Sequence, residues 1–428
     1  MRRHSSNRKA LHWHRRPGIA PTVAVWIGFG LAAASLAACS HPRAVPLPPA
    51  RSLATSPASS PSQATTGTSA APATCNIREY PNGICPAWLS AEAAAWGSAP
   101  EKPFILSPAL GSDSYDNPGK PGNTLPVIEE ELSMLEDTGA QGITIDMGYD
   151  PWLSGNPAVI AKDTAIVDLI RSSGHLVVLK DASAETYRHH PLPWAQFAAA
   201  WVARVRTIAA AFHPDYYTVI KEPPWYAPMI AGLSRTASSA ADRQVLSVST
   251  WISLLDRLIS AVKSVSPNTK VGIAVDGNVY NTASPGDRLD LQLMTAATKV
   301  SGLDFLGFDI YTASAFSDTE QFLHRVGTGG KSVWINETWS TTANTDPSLQ
   351  EQIDPQWANM LIDFAHHIGA AGVSPFFTDY FASYNATPDS AAGRLAFFKG
   401  RTPVFEVFRN FEHACRARSP SLSSSAPC

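Results

Sequence analysis

Tyr217-Thr218-Val219-Ile220-Lys221-Glu222 is a β-rich run that ends on a carboxylate, with Pro223-Pro224-Trp225-Tyr226 directly behind it. A run this short and this apolar reads as a buried parallel strand. Seven others share the pattern. Upstream lie Phe104-Ile105-Leu106-Ser107, Gly142-Ile143-Thr144-Ile145-Asp146 and Leu176-Val177-Val178-Leu179-Lys180-Asp181. Downstream lie Val271-Gly272-Ile273-Ala274-Val275-Asp276, Phe305-Leu306-Gly307-Phe308-Asp309, Val333-Trp334-Ile335-Asn336-Glu337 and Gly372-Val373-Ser374-Pro375-Phe376-Phe377. Between the runs, apolar residues recur three and four apart, as on helices with one buried face. Examples are Val127–Glu136, Trp194–Phe212, Thr250–Val265, Leu289–Lys299, Trp357–His367 and Ala391–Phe411. Eight strands alternating with helices predict an α/β fold, a single-domain (β/α)8 TIM barrel. A doubly wound open sheet is the rival. That fold usually carries a glycine-rich phosphate loop after its first strand. Here the first run leads into Ser107-Pro108-Ala109-Leu110-Gly111, which has none.

In such a barrel the active site lies at the C-terminal ends of the strands. Six of the eight runs end on an acid: Asp146, Asp181, Glu222, Asp276, Asp309 and Glu337. Asp379 follows the eighth. Carboxylates ringing one mouth need neutralising, by substrate hydroxyls, shared protons or metals. Sugar hydroxyls suit them, because one carboxylate can accept from two neighbouring hydroxyls. The plainer alternative for any single Asp is that it caps the helix that follows.

Glu222 and Glu337 stand out by context. Glu222 ends the fourth strand before Pro223-Pro224-Trp225-Tyr226. Glu337 ends the seventh in Trp334-Ile335-Asn336-Glu337-Thr338-Trp339. This order resembles the retaining glycoside hydrolases of clan A, which are (β/α)8 barrels. The resemblance spans residues 100–412 and rests on strand order and two short motifs. It implies that Glu222 is the acid/base, that Glu337 is the nucleophile, and that Tyr311, just beyond the sixth strand, hydrogen-bonds the nucleophile. It implies a carbohydrate substrate and no cofactor. Two features depart from the clan. Lys221 stands where members usually have an Asn that contacts the sugar 2-hydroxyl. No Arg is found at the second strand, where many members support the nucleophile.

The chemistry can also be argued directly. Two carboxyl groups must flank the anomeric carbon, about 5–5.5 Å apart if one is to attack it. One must stay protonated near neutral pH to donate to the leaving oxygen. Apolar neighbours such as Trp225, and the second carboxylate, raise its pKa. Strand alternation puts Lys221 on the face opposite Glu222, where it does not oppose that shift. The alternatives are a helix-start Glu beside prolines for Glu222 and a structural strand-end carboxylate for Glu337. Asn336-Glu337-Thr338 matches a glycosylation sequon, but its strand position argues against use.

Asp146, Asp181, Asp276, Asp309, Tyr311 and Asp379 are the candidate substrate-binding groups around this pair. Trp225, Tyr226, Trp339 and Tyr380 are candidate stacking surfaces for sugar rings, with core packing as the alternative for each. His189 and His190 follow the third strand and either bind substrate or face solvent. There is no His-Glu-x-x-His and no Gly-x-Ser-x-Gly, so metal-dependent and serine hydrolase chemistry ranks low and no metal is expected.

The N-terminus carries a separate message. Residues 1–16 hold six basic residues and no acid, an apolar run follows from Gly18 to Ala38, and Leu36-Ala37-Ala38-Cys39 closes it. Basic, apolar and small-residue segments in that order make a secretory signal. Leu-Ala-Ala-Cys resembles the bacterial lipobox, which implies acylation of Cys39. An uncleaved anchor and plain cleavage are the alternatives. Arg15-Arg16 fits a twin-arginine signal poorly. The expected layout is 1–38 signal, 39–74 a Pro/Ser/Ala-rich tether, 75–415 the barrel with an N-terminal extension, and 416–428 a tail. Export makes Cys75, Cys85, Cys415 and Cys428 disulfide candidates with three possible pairings, and a four-thiolate zinc site less favoured.

Of 428 residues, 44% are hydrophobic and the net charge is −3, so a large core is possible and a basic nucleic-acid footprint is missing. The reading as a whole is a monomeric, exported glycosidase held at the cell membrane by lipid alone. Two rivals stay open: a silent carbohydrate-binding barrel, which Lys221 keeps alive, and a metal-assisted hydrolase using the acid ring.

Overall fold

The computed structural model describes residues 75–428 except 77, 81, 112–122, 148–154, 182–192, 224–246, 281–284, 341–346, 419–425 and 428. The predicted signal, Cys39 and the tether lie outside the described residues.

Eight strands form one parallel sheet: β1 Ile105–Leu106, β2 Gly142–Met147, β3 Leu176–Asp181, β4 Tyr216–Lys221, β5 Lys270–Asp276, β6 Phe305–Ile310, β7 Ser332–Thr338 and β8 Gly372–Pro375. They are ordered β1-β8-β7-β6-β5-β4-β3-β2. The two ends of that order meet. Ala109 bridges Thr144 in parallel, and Gln141 N donates to Leu106 O at 3.0 Å. The sheet is therefore closed, as the strand count predicts, and the open-sheet rival falls.

The described helices are α1 Pro86–Trp96, α2 Leu125–Glu136, α3 Pro157–Ser172, α4 Trp194–Phe212, α5 Val248–Val265, α6 Pro285–Ala297, α7 Ala313–Arg325, α8 Pro347–Ile368, α9 Asp379–Ala382, α10 Ala391–Phe397 and α11 Pro403–Arg418. The periodic stretch Trp194–Phe212 coincides with α4. Its stripe Phe197, Trp201, Val205, Ile208 and Phe212 is buried, and Trp194 and Trp201 pack on Trp251 of α5 at 5.1 and 6.2 Å between ring centroids. The stretch Ala391–Phe411 is not one helix. It breaks into α10 and α11 around Gly400 and Pro403. Gly400 has no room for a Cβ, which would fall 2.2 Å from Ala382 O. The opposite error occurs in α8, which begins ten residues before Trp357 and runs through Pro355.

Two packing layers result. Most apolar side chains fill the space between strands and helices. A smaller cluster, Ile105, Val178, Phe305 and Trp334, with Leu176, Tyr216 and Ala371 against it, fills the barrel's lower interior. Gly272 and Gly372 face those rings. A Cβ at Gly272 would sit 2.1 Å from the Phe305 ring, and one at Gly372 2.6 Å from Trp334. Polar residues lie above: Thr218 Oγ1 donates to Asn336 Oδ1 at 2.8 Å, and Thr144 Oγ1 is 2.7 Å from both Ser107 Oγ and Ser374 Oγ.

Two bulges set the phase of what comes next. On β4 the register with β5 slips between Thr218 and Ile220, leaving Val219 as the extra residue. On β7 Asn336 is the extra residue, since Phe308 pairs Ile335 while Asp309 pairs Glu337. Beyond each bulge, strict alternation no longer predicts the facing of a side chain.

Cys75 and Cys85 form a disulfide that ties the preceding segment to the N-cap of α1. Cys415 is also disulfide-bonded; Cys428 lies outside the described residues. Among the described residues no helix is long and apolar enough to cross a membrane.

Candidate active site

Glu337 is buried near the C-terminal end of β7, at the centre of a charged cluster. Lys221 Nζ donates to its Oε1 at 2.8 Å, Lys180 Nζ donates to the same oxygen at 3.1 Å, and Tyr311 Oη donates to Oε2 at 2.9 Å. Lys180 also donates to the Asn336 carbonyl at 3.2 Å and so pins the β7 bulge. Burial alone would raise the Glu337 pKa. The two lysines and their hydrogen bonds overcome that and hold the carboxyl at about 2. Phe376, just past β8, lies under both ammoniums, 4.9 Å from Lys180 Nζ and 5.6 Å from Lys221 Nζ.

Lys221 corrects the alternation argument. Thr218 points inward to Asn336. Strict alternation would then turn Lys221 outward, but the extra residue at Val219 reverses the phase and brings its ammonium onto Glu337. The backbone then kinks. Glu222 has φ +43°, an uncommon conformation for a residue with a side chain. It lies past the end of β4, half-buried. Burial, then the charge of Glu337, push its pKa up to about 8, against the pull of Lys221. One glutamic acid is thus protonated near neutral pH while the other is ionised, the division of labour that acid-assisted displacement needs.

Asp146, at the end of β2, belongs to the same cluster. Its two oxygens lie 3.8 Å from Lys180 and Lys221. Neither accepts a hydrogen bond among the described residues. Burial raises its pKa and the two lysines oppose the rise. Asp309 accepts from Asn336 Nδ2 at 2.8 Å; burial, then the charges of Glu337 and Glu222, raise it well above the usual carboxylate range.

Other candidates have different surroundings. Asp181 pairs with Arg204 of α4 and accepts from Tyr217 Oη at 3.1 Å. Lys180 takes the inward position on β3, so Asp181 turns into the wall between barrel and helices and is not offered at the mouth. Trp339 is fully buried, packed on Trp357, Tyr380 and Phe381 with centroids 4.8, 5.7 and 5.7 Å away. It is core, not a stacking platform. Tyr380 is half-buried against Trp339 and Tyr384. Asp276 Oδ1 accepts from Asn278 N and Nδ2, each at 2.9 Å, which shapes the turn after β5. Asp379 takes a hydrogen bond from Thr387 in the loop after α9. Trp225, Tyr226, His189 and His190 lie outside the described residues.

Lys180 was not among the sequence candidates. A signal existed, because a lysine inside Leu176-Val177-Val178-Leu179-Lys180-Asp181 shares a face with Val178, and Val178 faces the barrel interior. Among the described residues no three His, Cys, Asp or Glu side chains are grouped to hold a metal ion.

No protein-family model and no curated protein matches the chain. Solved structures do. A β-glycosidase aligns with 12% identity over 76% of this chain and 98% of its own, with a TM-score of 0.50. A family 5 xyloglucanase from Paenibacillus pabuli aligns with 11% identity over 71% and 98%, at 0.49. A family 1 β-glucosidase from Thermotoga maritima aligns with 10% identity over 76% and 100%, at 0.46. At such identities the first of these supports the (β/α)8 fold alone.

Proposed function

We propose that this barrel is a retaining glycoside hydrolase. Glu337 attacks the anomeric carbon. Glu222 gives its proton to the leaving oxygen and later takes one from the water that releases the sugar. The observation that carries this reading is the pair of opposite proton states: Glu337 held ionised by Lys180, Lys221 and Tyr311, and Glu222 kept protonated just past β4. The β-glycosidase whose fold is similar adds a consistent precedent.

Lys180 and Lys221 favour one other reading, a barrel that binds sugars without cutting them. A carboxylate held at about 2 is a weak nucleophile, although it is a good leaving group from the glycosyl-enzyme. The test is a screen of the folded chain against envelope and plant-type polysaccharides, followed by Glu337→Gln. Loss of at least about a thousandfold in turnover supports the nucleophile role, on the scale seen when a reacting side chain is removed. Undiminished turnover in the variant removes Glu337 from the mechanism.

We further propose that the enzyme is exported and held at the membrane by lipid on Cys39, with residues 40–74 as its tether. The support is the basic-apolar-Leu36-Ala37-Ala38-Cys39 order. Cys39→Ser releases the protein to the medium if the lipid is its only anchor; unchanged membrane retention contradicts this.

A further inference from the structure

Two ammoniums reach one oxygen of Glu337, and orienting that carboxylate accounts for only one of them. Lys180 donates to Oε1 at 3.1 Å and to the Asn336 carbonyl at 3.2 Å, so it fixes both the carboxyl and the bulge that carries it. Lys221 donates to the same oxygen at 2.8 Å, and it differs from Lys180 in its other neighbours.

Lys221 is joined directly to Glu222. In a regular strand, adjoining residues face opposite ways. Here the extra residue at Val219 turns Lys221 inward, and the kink at Glu222, with φ +43°, follows at once. Both side chains therefore address the mouth. The charges that act most on Glu222 are Glu337, Lys221, Asp276 and Asp290, and of these four Lys221 alone is a cation. Lys180 acts on Glu337 and Asp146. Lys221 also faces Asp146 from β2, 3.8 Å away, Asp309 from β6, and the Phe376 ring beyond β8, 5.6 Å away. Tyr311 holds the other oxygen of Glu337 at 2.9 Å.

The reaction moves a negative charge between the two glutamates. In the first step an oxygen of Glu337 bonds to the anomeric carbon, the bond to the leaving oxygen breaks, and that oxygen takes the Glu222 proton. Glu337 is then a neutral ester and Glu222 a carboxylate. In the second step water gives a proton to Glu222 as its oxygen bonds to the anomeric carbon, and Glu337 departs with the bonding electrons. An ionised carboxyl without a partner is costly in a buried site. A cation confined to Glu337 would serve one state only.

We propose that Lys221 is a counter-ion shared by the two glutamates, a positioning residue that holds Glu337 while it is ionised and takes over Glu222 once Glu337 is esterified. Lys180 stays with the nucleophile and its bulge. The inference rests on the glycosidase reading for the esterified state, but the sharing itself can be measured without a substrate.

Glu337→Gln reproduces the charge of the ester, because the amide is neutral. The full chain is isotope-labelled at its glutamate carboxyl carbons, and the Glu222 signal, identified by its loss in Glu222→Gln, is titrated by NMR. In the wild type it should titrate near 8. In Glu337→Gln it should fall by at least about one unit, as the loss of a close like charge requires. Adding Lys221→Met to Glu337→Gln should raise it again by at least about one unit, whereas adding Lys180→Met should move it by less than about half a unit. A thermal melt confirms that each variant folds, and Lys221→Gln replaces Lys221→Met if that one does not. A Glu222 that stays near 8 in Glu337→Gln overturns the proposal whether or not the lysine variants fold. So does a Glu222 that Lys221 does not move, or that both lysines move equally. The expected titration together with undiminished glycan turnover in Glu337→Gln supports the shared counter-ion and overturns the hydrolase mechanism instead.

Discussion

Replacing Glu222 with Gln should make the protein more stable at alkaline pH while abolishing acid catalysis. The carboxyl has an ordinary value of 4.5 and is pushed up to about 8 in the fold, chiefly by burial and then by Glu337. Between those two values the folded state binds a proton that the unfolded chain has released. Stability therefore falls as pH rises through that window. The raised value spans about 3.5 pH units, and at 1.36 kcal/mol each the penalty above pH 8 is on the order of 4 to 5 kcal/mol. Gln keeps the shape and cannot ionise. Urea unfolding of wild type and variant at pH 4.5, 6.5 and 8.5 measures the difference. It should be near zero at the first, intermediate at the second and at least about 3 kcal/mol in favour of the variant at the third. A difference that does not change with pH would refute the claim that Glu222 is held protonated, and with it the assignment of general acid. The activity of the wild type should fall on the alkaline side near the same pH of about 8.

Other consequences can be checked in the same way. Tyr311→Phe removes the donor to Glu337 Oε2. A hydrogen bond to a charged group contributes about 1.5–3 kcal/mol, so turnover should fall about tenfold or more, and the acid limb of the pH–rate profile should move up from about 2. An unmoved acid limb would mean that Tyr311 does not act through Glu337. Asp181→Ala should cost about 3–5 kcal/mol in urea unfolding, because it removes the buried carboxylate that pairs with the buried guanidinium of Arg204. A wild-type stability in that variant would contradict the reading of Asp181 as a wall residue.

The repeat of short apolar runs and amphipathic stretches was enough to read the barrel, because parallel strands covered on both sides must be nearly all apolar. Leu176–Asp181 and Trp194–Phe212 have the same bounds in sequence and structure. The join at Gly400 and Pro403 was missed because apolar spacing continues across it. The strand-end positions of Glu222 and Glu337, and the hydrogen bond from Tyr311 to Glu337, were legible because position along the strand is preserved. The facing of Lys221 was not, since a bulge at Val219 inserts one residue and inverts every facing beyond it. A bulge leaves no mark in a period-two pattern of apolar residues. Asp181 and Trp339 were misplaced for a related reason: a strand-end position does not say which side of the wall a side chain takes.

The central claim is that Glu337 forms a covalent bond to the sugar. Once a cleaved glycoside is known, its deoxyfluoro analogue with a good leaving group should accumulate the glycosyl-enzyme. Peptide mass spectrometry should then find one sugar, attached to Glu337. A label on another residue, or no label together with a product of inverted anomeric configuration, would contradict the account.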